Sequence, residues 1–516
     1  MTRATLRVVP HPRHPLGWSS ALAALLAATL FRALPLLENR FHPDEALYAS
    51  FGRLIASGHN PMLAGVLVDK PPLSFYLTAG SFLLLGNTEF AARLVPFFAS
   101  LVSVALLFVL ARWLYGSRVA HLAAWALALS PFAILFSITL FIDPLLLALG
   151  LWGVVMFVRA GTSPGEAASR RLERAGAAAF ALAFAVKQTA LLFAPLALAL
   201  MLPMLPEAPR PAGRRLLRAG LFIAVGLALS AAVVFGWDAV RHAPIGFWQQ
   251  GYADNIPGRF IRADEVAPRA LAWLDWLHYF TASDPLNLAL VLGAPALLLA
   301  GVWGRSPNRA ALADFVLVGF LTLYLAAYWL SAFNVWDRYL LPVVPLLALL
   351  LGRIVAAASG GLARLGAAGF GRWAPLVLPV LLVGLLLPSA TTAARSGYPV
   401  GGDHGAYDGL DDAARFIRTL PTGGVLYDHW LGWQWNFYLF DGPLYVSWFI
   451  SPEALATDLR AFGRTSPRYL AVPTWESDVE VRAAAAQAGF TFTPLHTSYR
   501  RDGTASIVVY RLTPLP

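Results

Sequence analysis

The chain has 516 residues, of which 58% are hydrophobic and only 13% charged, and its mean hydropathy is +0.61. Soluble domains carry about 25% charged residues, so disordered, fibrous and wholly soluble classes are excluded and most of the chain must cross a membrane. The formal charge of +10 does not call for nucleic acid, because the arginines sit between apolar runs. The absence of cysteine removes disulfides, thiolate metal sites and a cysteine nucleophile.

Apolar runs occur at 17–37, 94–111, 119–137, 144–158, 176–188, 190–205, 219–236, 286–303, 311–332, 339–358 and 373–390. A span needs ~20 apolar residues, and these runs predict about 11 transmembrane helices. The stretch from 72 to 85 is too short and reads as a juxtamembrane or half-inserted helix. With the N-terminus in the cytoplasm, alternate connections collect Arg3, Arg7 and Arg13, then Arg112 and Arg118, and then Arg159, Arg170, Arg171 and Arg174. Later ones collect Arg210, Arg214, Arg215, Arg218, Arg305, Arg309, Arg353, Arg364 and Arg372, against only Glu166, Glu173 and Glu207. That is the positive-inside bias. The external face then holds loops at about 38–93 and 237–285 and everything after about 395.

From about 395 the composition turns polar. Val425–Tyr427, Tyr469–Val472 and Ile507–Tyr510 read as strands, and 408–420, 452–463 and 478–488 as helices. The organisation expected is a membrane domain, 1–394, and a small external α/β domain, 395–516. No short internal repeat or low-complexity tract is present.

Of 39 basic residues only two are lysines, Lys70 and Lys187. Against so strong an arginine bias, these mark positions where a compact ammonium is wanted. Lys70 lies in Val68-Asp69-Lys70-Pro71-Pro72, where the prolines hold the backbone; the plainer reading is a lysine snorkelling at a lipid interface. Asp44 and Glu45 open an amphipathic stretch, with Leu47, Phe51, Leu54 and Ile55 on one face. Asp44 serves there either as helix cap or as a reactive carboxylate. Asp143, followed by Pro144, is an acid at membrane depth and also a good cap for the next span. Arg338 and Tyr339 fall in Trp336-Asp337-Arg338-Tyr339-Leu340-Leu341-Pro342. The predicted topology puts all of these on the external face. Cations at head-group level suit a lipid-linked phosphate, and a facing carboxylate can take a proton from an attacking hydroxyl or amine. No nucleotide-binding loop of the GxxxxGK[ST] type is present, which fits a donor carried by lipid.

In order and spacing over about 1–360, Asp44-Glu45, Lys70-Pro71-Pro72, Asp143-Pro144, Lys187 and Arg338-Tyr339-Leu340-Leu341-Pro342 resemble glycosyltransferase family 39. This group includes protein O-mannosyltransferases and the aminoarabinose transferases that modify lipid A. The resemblance implies a GT-C membrane fold and an inverting transfer from a polyprenyl-phosphate sugar donor to a protein, lipid or glycan acceptor, in the plasma membrane of a bacterium. It implies Asp44 as base with Glu45 beside it, and Asp143 positioning the acceptor or stabilising the site. Lys70 would bind donor phosphate, Arg338 would be a second cation, and Tyr48 and Tyr339 would be donor contacts. Lys187 is followed by Gln188 where the family usually has Gly, which leaves its role open. In the aminoarabinose branch a carboxylate beside the lysine and a later histidine hold zinc. Asp69 and His278 are the nearest equivalents, but Asp is shorter than the expected Glu and the loop does not align, so a divalent metal is left open. Arg259, Arg262 and Arg269 are further phosphate candidates. A transporter of polyprenyl-linked substrates and a non-catalytic scaffold are the rivals; transporters usually show paired halves with interrupted helices, and a scaffold leaves Asp44, Glu45 and Lys70 unexplained.

Overall fold

The computed structural model describes residues 16–205, 209–256, 258–303, 308–365 and 373–515. Arg3, Arg7, Arg13, Glu207, Arg305 and Arg372 lie outside them.

All eleven apolar runs are helical. They form α1 (Leu16–Ala33), α4 (Glu89–Tyr115), the pair α5 (Ser117–Ala128) and α6 (Pro131–Ser137), α7 (Asp143–Thr162), α8 (Glu166–Val186) and α9 (Phe193–Met201). They continue as α10 (Pro209–Val240), α13 (Asp284–Trp303), α14 (Arg309–Leu330), α15 (Val344–Leu365) and α16 (Ala374–Ala393). The expectation of about 11 spans is corrected downward. Among the described residues eight helices are long and apolar enough to cross a membrane, or up to nine if α5 and α6, bent by 58°, are one span. The break comes at Ser130-Pro131, where proline cannot continue the helix and Ser130 Oγ caps the new one. The first half of α8 is charged, and the stretch Gln188–Met204 is short.

The connections carry shorter helices. α2 (Pro43–Ala56) and α3 (Leu73–Leu85) belong to the first long loop, α11 (Phe247–Asn255) and α12 (Val266–His278) to the second. At 13 residues α3 is too short to span. The membrane helices share one buried core, which polar anchors pin at its edges. Arg32, fully buried, donates to the carbonyls of Ala28, Leu127 and Ala128 and to Ser100 Oγ, locking α1 to the end of α5.

After α16 comes a five-stranded sheet. Its strands are β1 (Val425–Asp428), β2 (Tyr445–Trp448), β3 (Arg468–Pro473), β4 (Phe490–Tyr499) and β5 (Ala505–Pro514), in the spatial order β2-β1-β3-β5-β4. β1 is parallel to β2 and β3, whereas β5 runs antiparallel to β3 and β4. Central strand β3 is buried throughout, and its period of two feeds both faces. Tyr469 and Ala471 pack with α17 (Leu410–Ile417) and α18 (Gly432–Tyr438). Leu470 and Val472 pack with α19 (Pro452–Phe462) and α20 (Val479–Gln487). The sheet unit seats on α2: Arg53 Nη1 donates to the Phe437 carbonyl at 2.6 Å, and Phe41 meets Phe437 edge-on at 4.9 Å.

Candidate active site

Residues from five separate parts of the chain converge where α2 meets the membrane helices. The cap of α2 is His42, not Asp44 as the sequence suggested. His42 Nδ1 accepts from the Asp44 N–H at 3.2 Å, and its own N–H donates to Glu45 Oε2 at 3.1 Å. Burial lowers the His42 pKa, which keeps the ring neutral and able to accept. Asp44 is therefore free of the capping duty. Its carboxylate, 35% exposed, forms an ion pair with Arg338.

Glu45 corrects a second expectation. Read beside Asp44 as a catalytic acid, it is fully buried and saturated. Arg93 grips it through Nε–Oε1 at 3.0 Å and Nη2–Oε2 at 3.2 Å, and the backbone N–H groups of Leu140 and His42 donate to it at 2.8 and 3.1 Å. No lone pair faces an incoming group, so Glu45 is a strut between α2, α4 and the start of α7.

Two further acid–cation pairs complete the cluster. The Lys70 ammonium pairs with Asp69, and Pro71-Pro72 lead directly into α3. Lys187 Nζ donates to Asp143 Oδ1 at 2.6 Å; both side chains are buried. Asp143 is the first residue of α7, with Ile142 in the cap position and no side-chain cap bond. The expected Asp143 cap is thus corrected too: its carboxylate is given to Lys187. Tyr48 lies among the charges. Burial first, then the carboxylates of Asp69 and Asp44, push its pKa well above the ordinary value, so its hydroxyl stays protonated. Lys187 in turn feels the charges of Asp143, Lys70 and Arg338.

The cluster opens into a cavity of about 380 Å³, within the usual size of small-molecule sites, ≈ 300–1,000 Å³. Asp69, Lys70, Lys187 and Tyr339 form its polar end; Leu191, Leu192, Trp248, Ile256 and Phe333 form apolar walls. The Tyr339 ring also lies 5.7 Å from Lys187 Nζ and 5.8 Å from the Arg338 guanidinium. Sequence reasoning missed Asn255 and gave Gln188 no part. Tyr339 donates to Asn255 Oδ1 at 3.4 Å, Asn255 Nδ2 reaches Asp69 Oδ2 at 3.5 Å, and Gln188 Nε2 donates to the Asp69 carbonyl at 3.3 Å. α11 comes this close because residue 251 is glycine: a Cβ there would stand 2.6 Å from the Asp69 carbonyl oxygen.

His278 does not join the cluster. It faces Asp284 at 3.6 Å, and its carbonyl accepts from Asn287, both at the start of α13. Asp69 is engaged by Lys70, and among the described residues no three His, Asp or Glu side chains gather as metal ligands. The residues present do not fit the zinc site that the resemblance raised. Two of the three loop arginines are also committed. Arg259 pairs with Glu265 at 2.7 Å, and Arg269 donates to carbonyls at the end of α14.

Residues 69–237, which include Lys70, Asp143 and Lys187, match the family model of dolichyl-phosphate-mannose-protein mannosyltransferases. The whole fold is similar to ArnT from Cupriavidus metallidurans. The form bound to undecaprenyl phosphate has a TM-score of 0.62 at 18% identity, covering 96% of this chain and 97% of that one. The apo form has a TM-score of 0.64 at 19% identity, with 96% and 98% covered. The apo oligosaccharyltransferase of Archaeoglobus fulgidus is similar at a TM-score of 0.57 and 12% identity, covering 96% of this chain and 74% of that one. No curated protein matches the chain in sequence. The fold is thus that of the GT-C membrane glycosyltransferases. The likeness to glycosyltransferase family 39 raised by the order of the motifs is matched by the family model over residues 69–237.

Proposed function

We propose that the protein transfers a sugar from a polyprenyl-phosphate donor to an acceptor hydroxyl or amine, with inversion, at the external face of a bacterial plasma membrane. The observation that carries this reading is the meeting of three acid–cation pairs, two of whose cations, Lys70 and Lys187, line a cavity with apolar walls. An isoprenoid tail suits the walls, and a phosphate suits the two ammonium groups at the polar end.

Lys70 and Lys187 hold the donor phosphate. Arg338, lying between Asp44 and the aromatic ring of Tyr339, shares its charge. The acceptor O–H or N–H gives its proton to Asp44 as the acceptor atom bonds to the anomeric carbon. The bond from that carbon to the phosphate oxygen breaks, and its electrons leave on polyprenyl phosphate, whose charge the cations stabilise. A single displacement inverts the anomeric centre. Asp143 keeps Lys187 in place and borders the acceptor side, and the protonated Tyr48 hydroxyl is a donor for the substrate. The ArnT relative was solved with undecaprenyl phosphate, which supports a lipid phosphate as the leaving group here.

The domain division at 394/395 and a cytoplasmic N-terminus belong to the same proposal. Reporter fusions after 116 and 212 should report cytoplasm, and fusions after 60, 260 and 400 the outside. A cytoplasmic signal at 400 would separate the sheet domain from the acidic loop and sink the model. The activity test is purified protein with a panel of undecaprenyl-phosphate sugars, following release of undecaprenyl phosphate and the anomeric configuration of the product. Retention of configuration, or movement of the intact lipid-linked sugar across a vesicle without cleavage, would overturn it.

A further inference from the structure

Asp337, the first residue of the 3-10 turn Asp337–Val343, is used by nothing in the reaction above. Its Oδ1 accepts the backbone N–H of Arg338 at 2.7 Å, and its Oδ2 accepts the N–H of Gly401 at 2.8 Å. Gly401 lies in the segment that joins α16 to the sheet unit. Its φ is +86°, and a Cβ there would come within 3.1 Å of the Leu135 backbone, so only glycine can bring its N–H to Asp337. Gly402 follows so closely that a Cβ would lie 3.5 Å from Glu45 Oε2.

The same segment reaches the other half of the ion pair. Asp403 accepts from the N–H groups of Gly405 and Tyr407, both at 3.2 Å, and fixes the bend. Asp408 then accepts from Arg501 Nε at 2.6 Å. Arg501 Nη2 donates to Asn39 Oδ1 at 2.9 Å, and the Asn39 carbonyl accepts from Arg93 Nη1 at 2.7 Å. Arg93 grips Glu45, the chain neighbour of Asp44. A path of hydrogen bonds and short stretches of chain therefore runs from the backbone of Arg338, through the joining segment and the sheet unit, back to the turn that carries Asp44.

We infer that Asp337 is a positioning residue for Arg338, through which the segment 398–408 sets the geometry of the Asp44–Arg338 pair. The inference rests on the catalytic reading of that pair. The sheet unit is then part of the catalytic apparatus without touching substrate. A residue with only a stabilising role would affect melting and leave the reaction itself alone.

The test is a double-mutant cycle on the full-length enzyme in detergent, using the undecaprenyl-phosphate sugar that the activity panel identifies. Asp337→Asn keeps the shape but sets an amide N–H against one of the two donors. Its kcat should fall by roughly 10²-fold, the cost of a small misplacement at a reacting centre, with little change in the KM for donor. In an Arg338→Lys background the same substitution should cost less than about twofold, because residues acting through one another are non-additive. If Asp337→Asn does not accumulate, Asp337→Glu, which moves both acceptors by one methylene, carries the same cycle. Equal losses of kcat in both backgrounds would overturn the inference and leave the reading of the site standing. Full turnover by Arg338→Lys alone would overturn both.

Discussion

Asp44 and Glu45 are adjacent on one helical turn, yet they sit in opposite kinds of environment. Glu45 is closed: a two-point contact from Arg93 and two backbone N–H groups use its oxygens, and no solvent reaches it. Asp44 is open: one guanidinium touches it and a third of its surface is free. The end of α8 remote from Lys187 shows the closed type again. Buried Glu173 takes Arg218 through Nε and Nη2 at 2.7 and 2.8 Å and Ser169 Oγ at 2.9 Å. An acid that holds helices together is saturated, because an unpaired buried charge is costly. An acid that must take a proton keeps lone pairs free and a path for the acceptor.

That contrast is broken most directly at Asp44. Capping of α2 rests on His42 and Glu45, so Asp44→Asn should fold, melt like the parent and still bind undecaprenyl phosphate. Transfer should drop by roughly 10²–10⁴-fold, the usual contribution of general-base assistance. Single-turnover measurement of sugar transfer, with donor hydrolysis followed separately, reads this. More than about a third of the parent rate would end the base assignment.

Glu45→Gln should fail in the other way. Removing one partner of a buried pair costs about 3–5 kcal/mol, so yield and melting temperature should fall, while whatever remains folded still transfers sugar. A variant that melts like the parent but has lost transfer would reverse the roles of the two acids.

The lysines sharpen the comparison. Arg93 holds Glu45 with a planar fork, whereas Lys70 and Lys187 present single ammonium groups beside the cavity. If a compact charge is required, Lys70→Arg should lose about tenfold in kcat/KM for the donor, the scale of one hydrogen bond to a charged group, about 1.5 kcal/mol. Near-parental kcat/KM would show that guanidinium serves as well and that lysine scarcity carried no information.

How much of this was legible depends on how local the signal is. Rarity singled out both lysines, and short motifs singled out Asp44, Asp143 and Arg338, because the chemistry needs particular side chains wherever they stand. The apolar runs gave the helices, since burial in lipid acts on every residue of a span. Three strand cores were readable, whereas β2, β4 and α18 were not: β2 has only four residues with no buried one, and the outer face of β4 is largely exposed. Histidine is an uncommon cap, so Asp44 looked like the better one. Arg93 stood in plain view at the edge of an apolar run, but its partner Glu45 lies 48 positions away. Asn255, Asp337 and Gly401 act through contacts that only the folded chain creates.

The smallest expected effect concerns a third kind of acid, buried without a cation. Asp403 is 5% exposed and accepts two backbone N–H groups, and it has no ion pair among the described residues. Burial, with a further push from Glu45 and against the Gly405 N–H, raises its pKa to about 7. An unfolded aspartate titrates near ~3.9. Below that pH both states are protonated, and the neutral carboxyl's contribution to stability is fully present. Between ~4 and about 7 the folded protein binds more protons than the unfolded chain, so stability falls as pH rises, and the slope vanishes above about 7. Asp403→Asn is neutral throughout. It should match the parent at the acid end and lose that share of the slope, which melting of the full chain in detergent from about pH 4 to about pH 8 would read. Identical slopes for parent and variant would mean that Asp403 is ionised in the folded protein over the whole range, held by its two N–H donors as firmly as Glu45 is held by Arg93.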